Sequence, residues 1–206
     1  MSRVHIIDYG MGNLRSVAGA VRYLGHDPVI CSNPVELAAA QRVILPGVGA
    51  FGQAMSNLNQ RRMIEPLTDL AVHKQRPFLG ICLGGQLLCR DSDEFGMNQG
   101  LGWLNARVRS LSPDAPGLRI PHVGWDELDR KNPSPLFEDV PEHSLFYYVH
   151  SFKMIADEED LVAAECSYGC RFAAILIQDS MVAVQFHPEK SQQAGLILLR
   201  NFIERF

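Results

Sequence analysis

Residues 77 to 86 read Pro77-Phe78-Leu79-Gly80-Ile81-Cys82-Leu83-Gly84-Gly85-Gln86, and they join a short apolar run to a helix-like run. The order Gly-x-Cys-x-Gly is typical of a nucleophile elbow, a sharp strand-to-helix turn that holds its central residue in a strained backbone conformation. Gly80 and Gly84 remove side chains that would collide in so tight a turn. A thiol at the start of a helix also lies near unpaired N–H groups, which favour the thiolate. The pattern predicts that Cys82 is a nucleophile.

Such a nucleophile needs a base, and residues 182 to 191 read Val-Ala-Val-Gln-Phe-His-Pro-Glu-Lys-Ser. An apolar run ends at His187, Pro188 keeps the backbone extended, and residues two apart in an extended chain face the same way. Glu189 can therefore reach the imidazole and fix its tautomer, which leaves the other ring nitrogen to take the thiol proton. Cys82, His187 and Glu189 are the predicted catalytic triad.

Two alternatives to this triad stay open on the residues alone. Free cysteines are among the most buried residues, so Cys82 could be a packing residue in a glycine-rich turn. His122 and His150 are alternative bases, but neither is followed two residues later by a carboxylate, as His187 is.

The remainder of the chain alternates short apolar runs with helix-length segments, which is typical of an α/β fold with a mostly parallel central sheet and helices on both faces. From about residue 108 to residue 185 the runs shorten and predict antiparallel strands. Because no repeat or linker divides the chain, we expect one domain over residues 1–206. Strands are predicted at 4–7, 43–45 and 78–81, and helices at 17–24, from 33, at 63–73, 83–89 and 192–206.

Composition narrows the class of protein. The 206 residues carry a net charge of −4, which gives no electrostatic footprint for nucleic acid. The apolar runs are too short to cross a membrane, and the start lacks the apolar region of a signal peptide, so a cytoplasmic protein is expected. Five cysteines, an odd number, favour reduced thiols. Cys166 and Cys170 have no further ligands nearby in sequence, so we expect no metal and no cofactor.

Further segments carry a resemblance that covers nearly the whole chain. They are Ile7-Asp8-Tyr9-Gly10-Met11-Gly12-Asn13-Leu14, Leu45-Pro46-Gly47-Val48-Gly49-Ala50-Phe51, Pro121-His122-Val123-Gly124-Trp125 and Val149-His150-Ser151. With the two motifs above, the chain resembles the triad-type (class I) glutamine amidotransferases, and within them the glutaminase subunit of imidazole glycerol phosphate synthase. The resemblance implies a flavodoxin-like class I glutamine amidotransferase fold and an enzyme that hydrolyses glutamine to glutamate and ammonia.

Attack on an amide carbon builds negative charge on its oxygen, so backbone N–H donors must point at that position. The N–H of Leu83, the first residue of the predicted elbow helix, is one candidate. The family resemblance implies that the second donor comes from the glycine loop, at Gly47 and Val48. The alternative is that this loop is only a tight turn. If the loop is a donor, we hypothesise that partner or ligand binding sets the orientation of the Val48 peptide.

The contacts to the substrate depend more on the resemblance. Gln86 lies one turn after Cys82 on the same helix face, and its amide can both donate and accept hydrogen bonds. It is predicted to hold the zwitterionic end of glutamine; the alternative is a solvent-facing polar residue. The resemblance implies that backbone groups at Gly49 and at His150, Ser151 and Phe152 hold the same end. These are the predicted substrate-binding residues.

The whole chain is used by the glutaminase, so the enzyme that consumes the ammonia must be a separate chain. In the family this partner is a (β/α)₈ barrel cyclase, which makes imidazole glycerol phosphate and aminoimidazole carboxamide ribotide in histidine biosynthesis. Trp125 is the expected interface anchor, because an indole on a polar rim is a common hot spot, although a core tryptophan is the alternative. The residues that match the family's docking face are Met11, Asn13, His122, Trp125 and Lys190.

Three positions depart from the family pattern. Gly85 and Val123 each replace a methionine, and Asp126 replaces an asparagine; the last two fall on the expected docking face. A paralogous glutaminase that feeds ammonia to a sugar amidotransferase in surface-polysaccharide synthesis is therefore the main alternative. Two others are a non-catalytic regulatory subunit, which the intact triad disfavours, and a peptidase-like hydrolase, which Gln86 and the His-Pro-Glu segment disfavour.

Overall fold

A computed structural model describes residues 1–112 and 117–206 of the chain. Its main sheet runs in the order β2-β1-β3-β4-β14-β13-β11-β7-β5-β6, and the first five of these strands are parallel neighbours. The strands are β1 Arg3–Ile7, β2 Asp27–Cys31, β3 Val43–Gly47, β4 Phe78–Cys82, β5 Asp91–Ser92, β6 Asn98–Gln99, β7 Ala106–Ser110, β8 His122–Glu127, β9 Asp129–Arg130, β10 Leu145–His150, β11 Phe152–Ala156, β12 Val162–Ser167, β13 Arg171–Gln178 and β14 Met181–Val184.

Helices cover both faces of the parallel strands, as predicted. Strand side chains alternate, so Ile6 and Ile44 face one helix layer while Ile7 and Leu45 face the other. Burial of each such side chain contributes about 1.5–3 kcal/mol. On the Ile6 face lie α1 Leu14–Tyr23 and α5 Gln192–Arg205, and on the Ile7 face lie α2 Phe51–Gln60, α3 Ile64–Thr68 and α4 Leu83–Gln86.

The predicted strands and most of the predicted helices are confirmed. The helix expected over 63–73 is α3, which continues as a π-helical turn at Asp69–His73. The segment from residue 33 forms a 3₁₀ helix, Pro34–Ala39, whose first turn is capped by the Asn33 side chain at 3.0 Å from the Val35 N–H. Helix α2 was not predicted.

The helix predicted over 83–89 is wrong beyond its first turn, because α4 ends at Gln86. Two glycines make up half of this turn, and glycine is a poor helix former. The carbonyl of Leu87 then accepts from the N–H of Leu101 at 2.8 Å, and the carbonyl of Cys89 accepts from the N–H of Gly102 at 3.0 Å. Hydrogen bonds to the 100–104 segment of the same chain therefore replace the helical ones after Gln86.

The second half of the chain is largely antiparallel, as predicted. Strands β7, β11, β13 and β12 pair antiparallel in the main sheet, and β14 joins this half to the parallel strands through β13 on one side and β4 on the other. Strands β8 and β10 form a separate antiparallel pair. Residues 113–116 of the predicted antiparallel region lie outside the described residues. Within the described part of the chain, no helix is long and apolar enough to cross a membrane.

Three chain segments meet at one end of the parallel strands. Gly47, at the end of β3, is in register with Cys82, at the end of β4. The segment after β14 is fastened to the β8–β10 pair, because the His187 N–H donates to the Tyr147 carbonyl at 2.9 Å. The carboxyl ends of β3, β4 and β14 and the end of β10 therefore surround the same space.

Candidate active site

Cys82 occupies a sharp turn between β4 and α4, with φ 54° and ψ −115°. A positive φ is uncommon for a residue other than glycine and marks local strain. The flanking glycines are required by contact: a Cβ on Gly80 would lie 2.6 Å from the Gly84 carbonyl oxygen, and a Cβ on Gly84 would overlap the Leu45 carbonyl. The structure thus has the geometry of a nucleophile elbow. Gly85 also packs closely, because its Cβ would lie 3.0 Å from the Gly80 carbonyl oxygen.

His187 and Glu189 form a buried pair beside the elbow. Nδ1 of His187 lies 2.9 Å from Oε1 of Glu189, and the two side chains are 2% and 1% exposed. Pro188 opens a short 3₁₀ turn, Pro188–Lys190, which brings the carboxylate back toward the ring. Burial alone lowers the pKa of His187, but interactions with the Cys82 and Glu189 side chains outweigh it and raise the pKa to about 9. Nε2 is buried and makes no hydrogen bond to the described residues.

Gln86 is nearly buried, so the alternative of a solvent-facing residue is wrong. Its Nε2 donates to the Phe152 carbonyl and to Oε1 of Gln185, both at 3.0 Å. Nε2 of Gln185 lies in turn 3.9 Å from the Cys82 sulfur. The donor half of the Gln86 amide is therefore committed within the protein, and its carbonyl oxygen is the group left to contact a ligand. Sequence reasoning missed Gln185, although it lies two residues before His187 on the same extended run.

A cavity of about 350 Å³ opens beside Cys82. This volume suits a small ligand. A larger cavity of about 590 Å³ lies elsewhere and is lined by none of the predicted site residues, so its size does not make it the better candidate. Of the predicted site residues, the cavity beside Cys82 is lined by Val48, Gly49, Cys82, Leu83, Gln86, His150, Ser151, Phe152 and His187.

Glu94 also lines this cavity, and sequence reasoning missed it. Its Oε2 accepts from the Phe51 N–H at 2.6 Å, at the start of α2. Its backbone is held by Asn98, whose Nδ2 donates to the Glu94 carbonyl at 2.7 Å. A carboxylate here is suited to a ligand ammonium group. No local sequence pattern indicates this role, because the Phe51 N–H that Glu94 contacts is 43 residues away.

The glycine loop packs directly against the elbow. A Cβ on Gly47 would lie 2.5 Å from the Gly84 nitrogen and 2.6 Å from the Tyr9 hydroxyl, so only glycine fits. Gly49 has φ +104°, which disfavours other residues, and its Cβ would meet Met11 at 2.7 Å. The Leu83 N–H belongs to the first turn of α4, where it has no intrahelical partner. Val48 and Leu83 thus line one cavity with Cys82.

The family model for class-I glutamine amidotransferases matches residues 5–206. The chain belongs to this family. It is 43% identical over 208 residues to a Geobacter sulfurreducens protein named imidazole glycerol phosphate synthase subunit HisH, covering 99% of each chain. A protein of the same name from Aquifex aeolicus is 44% identical over 201 residues, covering 97% of this chain and 95% of the relative.

Solved structures agree on the fold. PurLQS from Thermotoga maritima superposes with a TM-score of 0.76 at 16% identity, covering 98% of this chain and 97% of that one. A glutamine amidotransferase from the same organism gives a TM-score of 0.67 at 17% identity, covering 99% of this chain and 97% of that one. The chain is a glutamine amidotransferase with the α/β fold expected from its sequence.

Strand β8 of this amidotransferase carries residues that were predicted to lie together on the docking face, but it places them on its two opposite faces. Trp125 is 40% exposed and Val123 is 56% exposed, so the alternative of a core tryptophan is wrong. The Trp125 ring lies 5.6 Å from that of Tyr147, and Lys190 places its ammonium 5.7 Å from the same Tyr147 ring. Met11 and Asn13 are half-buried, and Met11 packs against Gly49 of the glycine loop.

His122 differs from its prediction as an interface residue, because its side chain is wholly buried. Side chains alternate along β8, so His122 and Asp126 point to the face opposite Val123 and Trp125. The departure at Asp126 therefore concerns the inner face, where the carboxylate lies 2.7 Å from His122. No three metal-ligating side chains cluster anywhere in residues 1–112 and 117–206.

Proposed function

We propose that this amidotransferase is the glutaminase subunit of an imidazole glycerol phosphate synthase. It would hydrolyse glutamine to glutamate and ammonia and pass the ammonia to a separate cyclase subunit in histidine biosynthesis. The observation that carries the chemistry is the cavity in which a strained cysteine meets a buried His–Glu pair. Full-length relatives at 43% and 44% identity, named as subunits of this synthase, support the pathway.

In the proposed mechanism, the Cys82 sulfur attacks the side-chain amide carbon of glutamine. His187 takes the thiol proton on Nε2 and delivers it to the leaving nitrogen, so that ammonia departs and a thioester remains. Water then attacks the thioester, with the same ring as base, and releases glutamate. Glu189 holds Nδ1–H, which keeps Nε2 pointed at the reacting atoms.

The negative charge that forms on the amide oxygen requires donors in the cavity. The Leu83 N–H supplies one, and the Gly47–Val48 peptide supplies the other when its N–H points inward. The loop position supports this role, because Gly47 is in register with Cys82. Turnover that rises on partner binding would support control through the Val48 peptide, and equal basal and activated turnover would contradict it.

Recognition of the amino-acid end of glutamine uses both charges of the zwitterion. The Glu94 carboxylate and the Gln86 carbonyl oxygen are suited to the ammonium group, and both line the cavity. N–H groups of the Gly49 loop and of the 151–152 segment are suited to the carboxylate. His150 contributes to the wall, and its ring is held by the Phe152 carbonyl at 2.8 Å.

The ammonia acceptor in this proposal is a (β/α)₈ barrel cyclase that covers the cavity mouth. Trp125 and Val123 present exposed apolar surface, and the Trp125 ring and the Lys190 ammonium both lie against the Tyr147 ring. We assign residues 1–206 to one glutaminase domain that works in the cytoplasm alongside its cyclase.

The test measures glutamate release from glutamine by the full chain, with and without the barrel cyclase and its nucleotide substrate. Cys82→Ala is the blank, and its circular dichroism must match that of the wild type. Strong activation by the cyclase, absent in Cys82→Ala, is the expected result. Turnover retained in Cys82→Ala would overturn the triad, and activity that ignores the cyclase would overturn the pathway.

The second candidate function is a paralogous glutaminase that serves a sugar amidotransferase. The departure at Val123 favours it, because this side chain is 56% exposed on the expected docking face. The same assay separates the two functions, since this paralogue would not respond to the cyclase.

A further inference from the structure

A chain of hydrogen bonds runs from Asp126 on strand β8 into the wall of the candidate glutamine cavity. Oδ2 of Asp126 lies 2.7 Å from Nε2 of His122, and Nδ1 of His122 lies 2.9 Å from Nε2 of His150. Nδ1 of His150 lies 2.8 Å from the Phe152 carbonyl oxygen. Both rings are buried, whereas the Asp126 side chain is 39% exposed. The chain therefore joins solvent to a residue that lines the cavity.

The inner end of this hydrogen-bond chain, at the Phe152 carbonyl, determines which ring nitrogens carry protons. A carbonyl oxygen can only accept, so His150 must donate from Nδ1 to Phe152. Burial lowers the pKa of His150 to about 4, so its ring is neutral and Nε2 carries a lone pair. His122 must then donate to this lone pair from its own Nδ1. Each step follows from the one before it, and none depends on the outer end.

At the outer end, the contact between His122 and Asp126 lacks a proton for its hydrogen bond. A neutral His122 that donates from Nδ1 has a lone pair on Nε2, and this lone pair faces the Asp126 carboxylate at 2.7 Å. Two acceptors at hydrogen-bond distance repel, so the observed geometry needs a further proton on the His122–Asp126 pair. The His122 ring lies between those of Tyr148, at 4.9 Å, and Tyr168, at 4.0 Å, and both are nearly parallel to it. Aromatic faces favour a cationic ring between them.

We infer that Asp126 and His122 share one exchangeable proton, and that this proton holds His150 and the 150–152 segment in the arrangement that binds glutamine. Both are positioning residues, since they act on the cavity through His150. The inference rests on the proposed glutaminase function for its ligand, glutamine. The presence of the shared proton does not depend on that function.

The neighbouring titratable groups do not account for a proton in the near-neutral range. Burial raises the pKa of Tyr148 well above its usual value and that of Cys166 to about 12. The Tyr168 hydroxyl donates to the Arg119 carbonyl at 2.9 Å. His187, which faces His150, has a pKa of about 9.

The His122–Asp126 pair is the remaining titratable part of the hydrogen-bond chain. Burial lowers the pKa of His122 below its usual value, and the hydrogen bond to Asp126 offsets this only in part.

Loss of the proton must break one link. Either His122 keeps Nδ1–H and faces Asp126 without a bond, or it moves the proton to Nε2 and leaves two lone pairs between the histidines. In the second case His150 regains a bond by moving its own proton to Nε2, which releases the Phe152 carbonyl. Glutamine affinity should therefore be highest below the titration and fall as the pH rises through it.

The experiment uses the full chain with Cys82→Ala, which prevents turnover, and measures the Kd of glutamine by calorimetry from about pH 5.5 to about pH 8.5. The Kd should rise about fivefold across the titration, the size of one buried hydrogen bond. In Asp126→Asn the amide can donate to a neutral His122, so the pH dependence that this pair contributes should be lost. His187 lines the same cavity, and its own pH dependence, without the Cys82 thiol, remains as the baseline. Glu127→Gln is the matched control, because it removes the same charge from the opposite face of β8 and should keep the pH dependence.

A second readout needs no ligand. Ring ¹⁵N chemical shifts should show His150 as the neutral Nδ1–H tautomer at low pH in the wild type and at every pH in Asp126→Asn. They should show both His122 nitrogens protonated at low pH in the wild type, and only Nδ1 protonated at every pH in Asp126→Asn. An Nε2–H tautomer of His150 at low pH, or a His122 titration unchanged in Asp126→Asn, would overturn the inference. Absence of glutamine binding would count against the proposed function. These spectra would still show whether the His122–Asp126 pair holds the shared proton.

Discussion

Two histidine–carboxylate pairs lie close to the same cavity, and they differ in what the second ring nitrogen does. His187 is bound to Glu189 on Nδ1 and has a buried Nε2 without a hydrogen-bond partner in the described chain. His122 is bound to Asp126 on Nε2 and uses Nδ1 to hold His150. An imidazole with an unused nitrogen beside a thiol can move a proton. An imidazole whose two nitrogens are bonded to groups other than the reacting atoms acts by positioning its neighbours.

The first and largest test of this difference replaces each of the two histidines. His187→Asn should lower kcat by about 10²- to 10⁴-fold, the usual contribution of a general acid–base residue. His122→Asn should leave kcat within a few-fold and act on the KM for glutamine. Steady-state glutaminase assays of the two variants in the cyclase complex measure both. Equal losses of kcat would erase the distinction.

The second test replaces the two carboxylates by amides. Glu189→Gln should lower kcat by on the order of 10²-fold, because the amide no longer fixes the ring in the tautomer that leaves Nε2 free. Asp126→Asn should leave kcat near the wild-type value, because its amide can donate to His122. The comparison requires both variants to unfold at temperatures close to that of the wild type.

The third test uses stability against pH. The folded pKa of His187 is about 9, above its usual value of 6.5, so the charged ring stabilises the fold below about pH 6.5 and this contribution is lost as the pH rises through 9. The loss should be on the order of 3 kcal/mol, at 1.36 kcal/mol per pKa unit. Urea unfolding on either side of this range measures it. His187→Asn should flatten the curve, and an unchanged slope would contradict the assignment.

The smallest expected effect concerns the aromatic faces around His122. Tyr168→Leu removes the ring that stacks at 4.0 Å, and should lower the pKa of the His122–Asp126 pair by about half a unit. The ¹⁵N titration measures this shift. Tyr23→Leu, at a 75% exposed position on α1, is the control and should leave the titration unchanged. No shift in Tyr168→Leu would mean that stacking does not stabilise the cation.

The two pairs also show what sequence could and could not reveal. His187 and Glu189 were found because the carboxylate is two residues away in an extended segment, and the elbow was found because its glycines are adjacent to Cys82. The His122–Asp126 pair has a four-residue spacing on β8, which also places both side chains on one face. The partner that gives this pair its role, His150, is 28 residues from His122. Pairing of β8 with β10 was needed to bring them together.

The errors in the fold have similar causes. The helical pattern does not continue past Gln86, because the carbonyls of residues 87–90 pair with the 100–104 segment, and nothing near Leu87 in sequence indicates that pairing. Glu94 reaches the cavity because its carboxylate caps α2, a helix that the sequence pattern also failed to predict. Local patterns thus predicted the elbow at Cys82, the His187–Glu189 pair and the parallel strands. Contacts between distant segments decided the remainder of the cavity wall.

The hydrogen bond between the His187 N–H and the Tyr147 carbonyl has a consequence for how the outer face and the base are connected. Trp125 is in register with Tyr147 across the β8–β10 pair, so one step of sheet pairing and one main-chain bond separate the exposed indole from His187. Substitution of side chains leaves main-chain bonds intact, with proline at position 187 as the exception. Relatives that share few side chains along this route can therefore keep the same mechanical linkage, and alignment of their sequences would not reveal it.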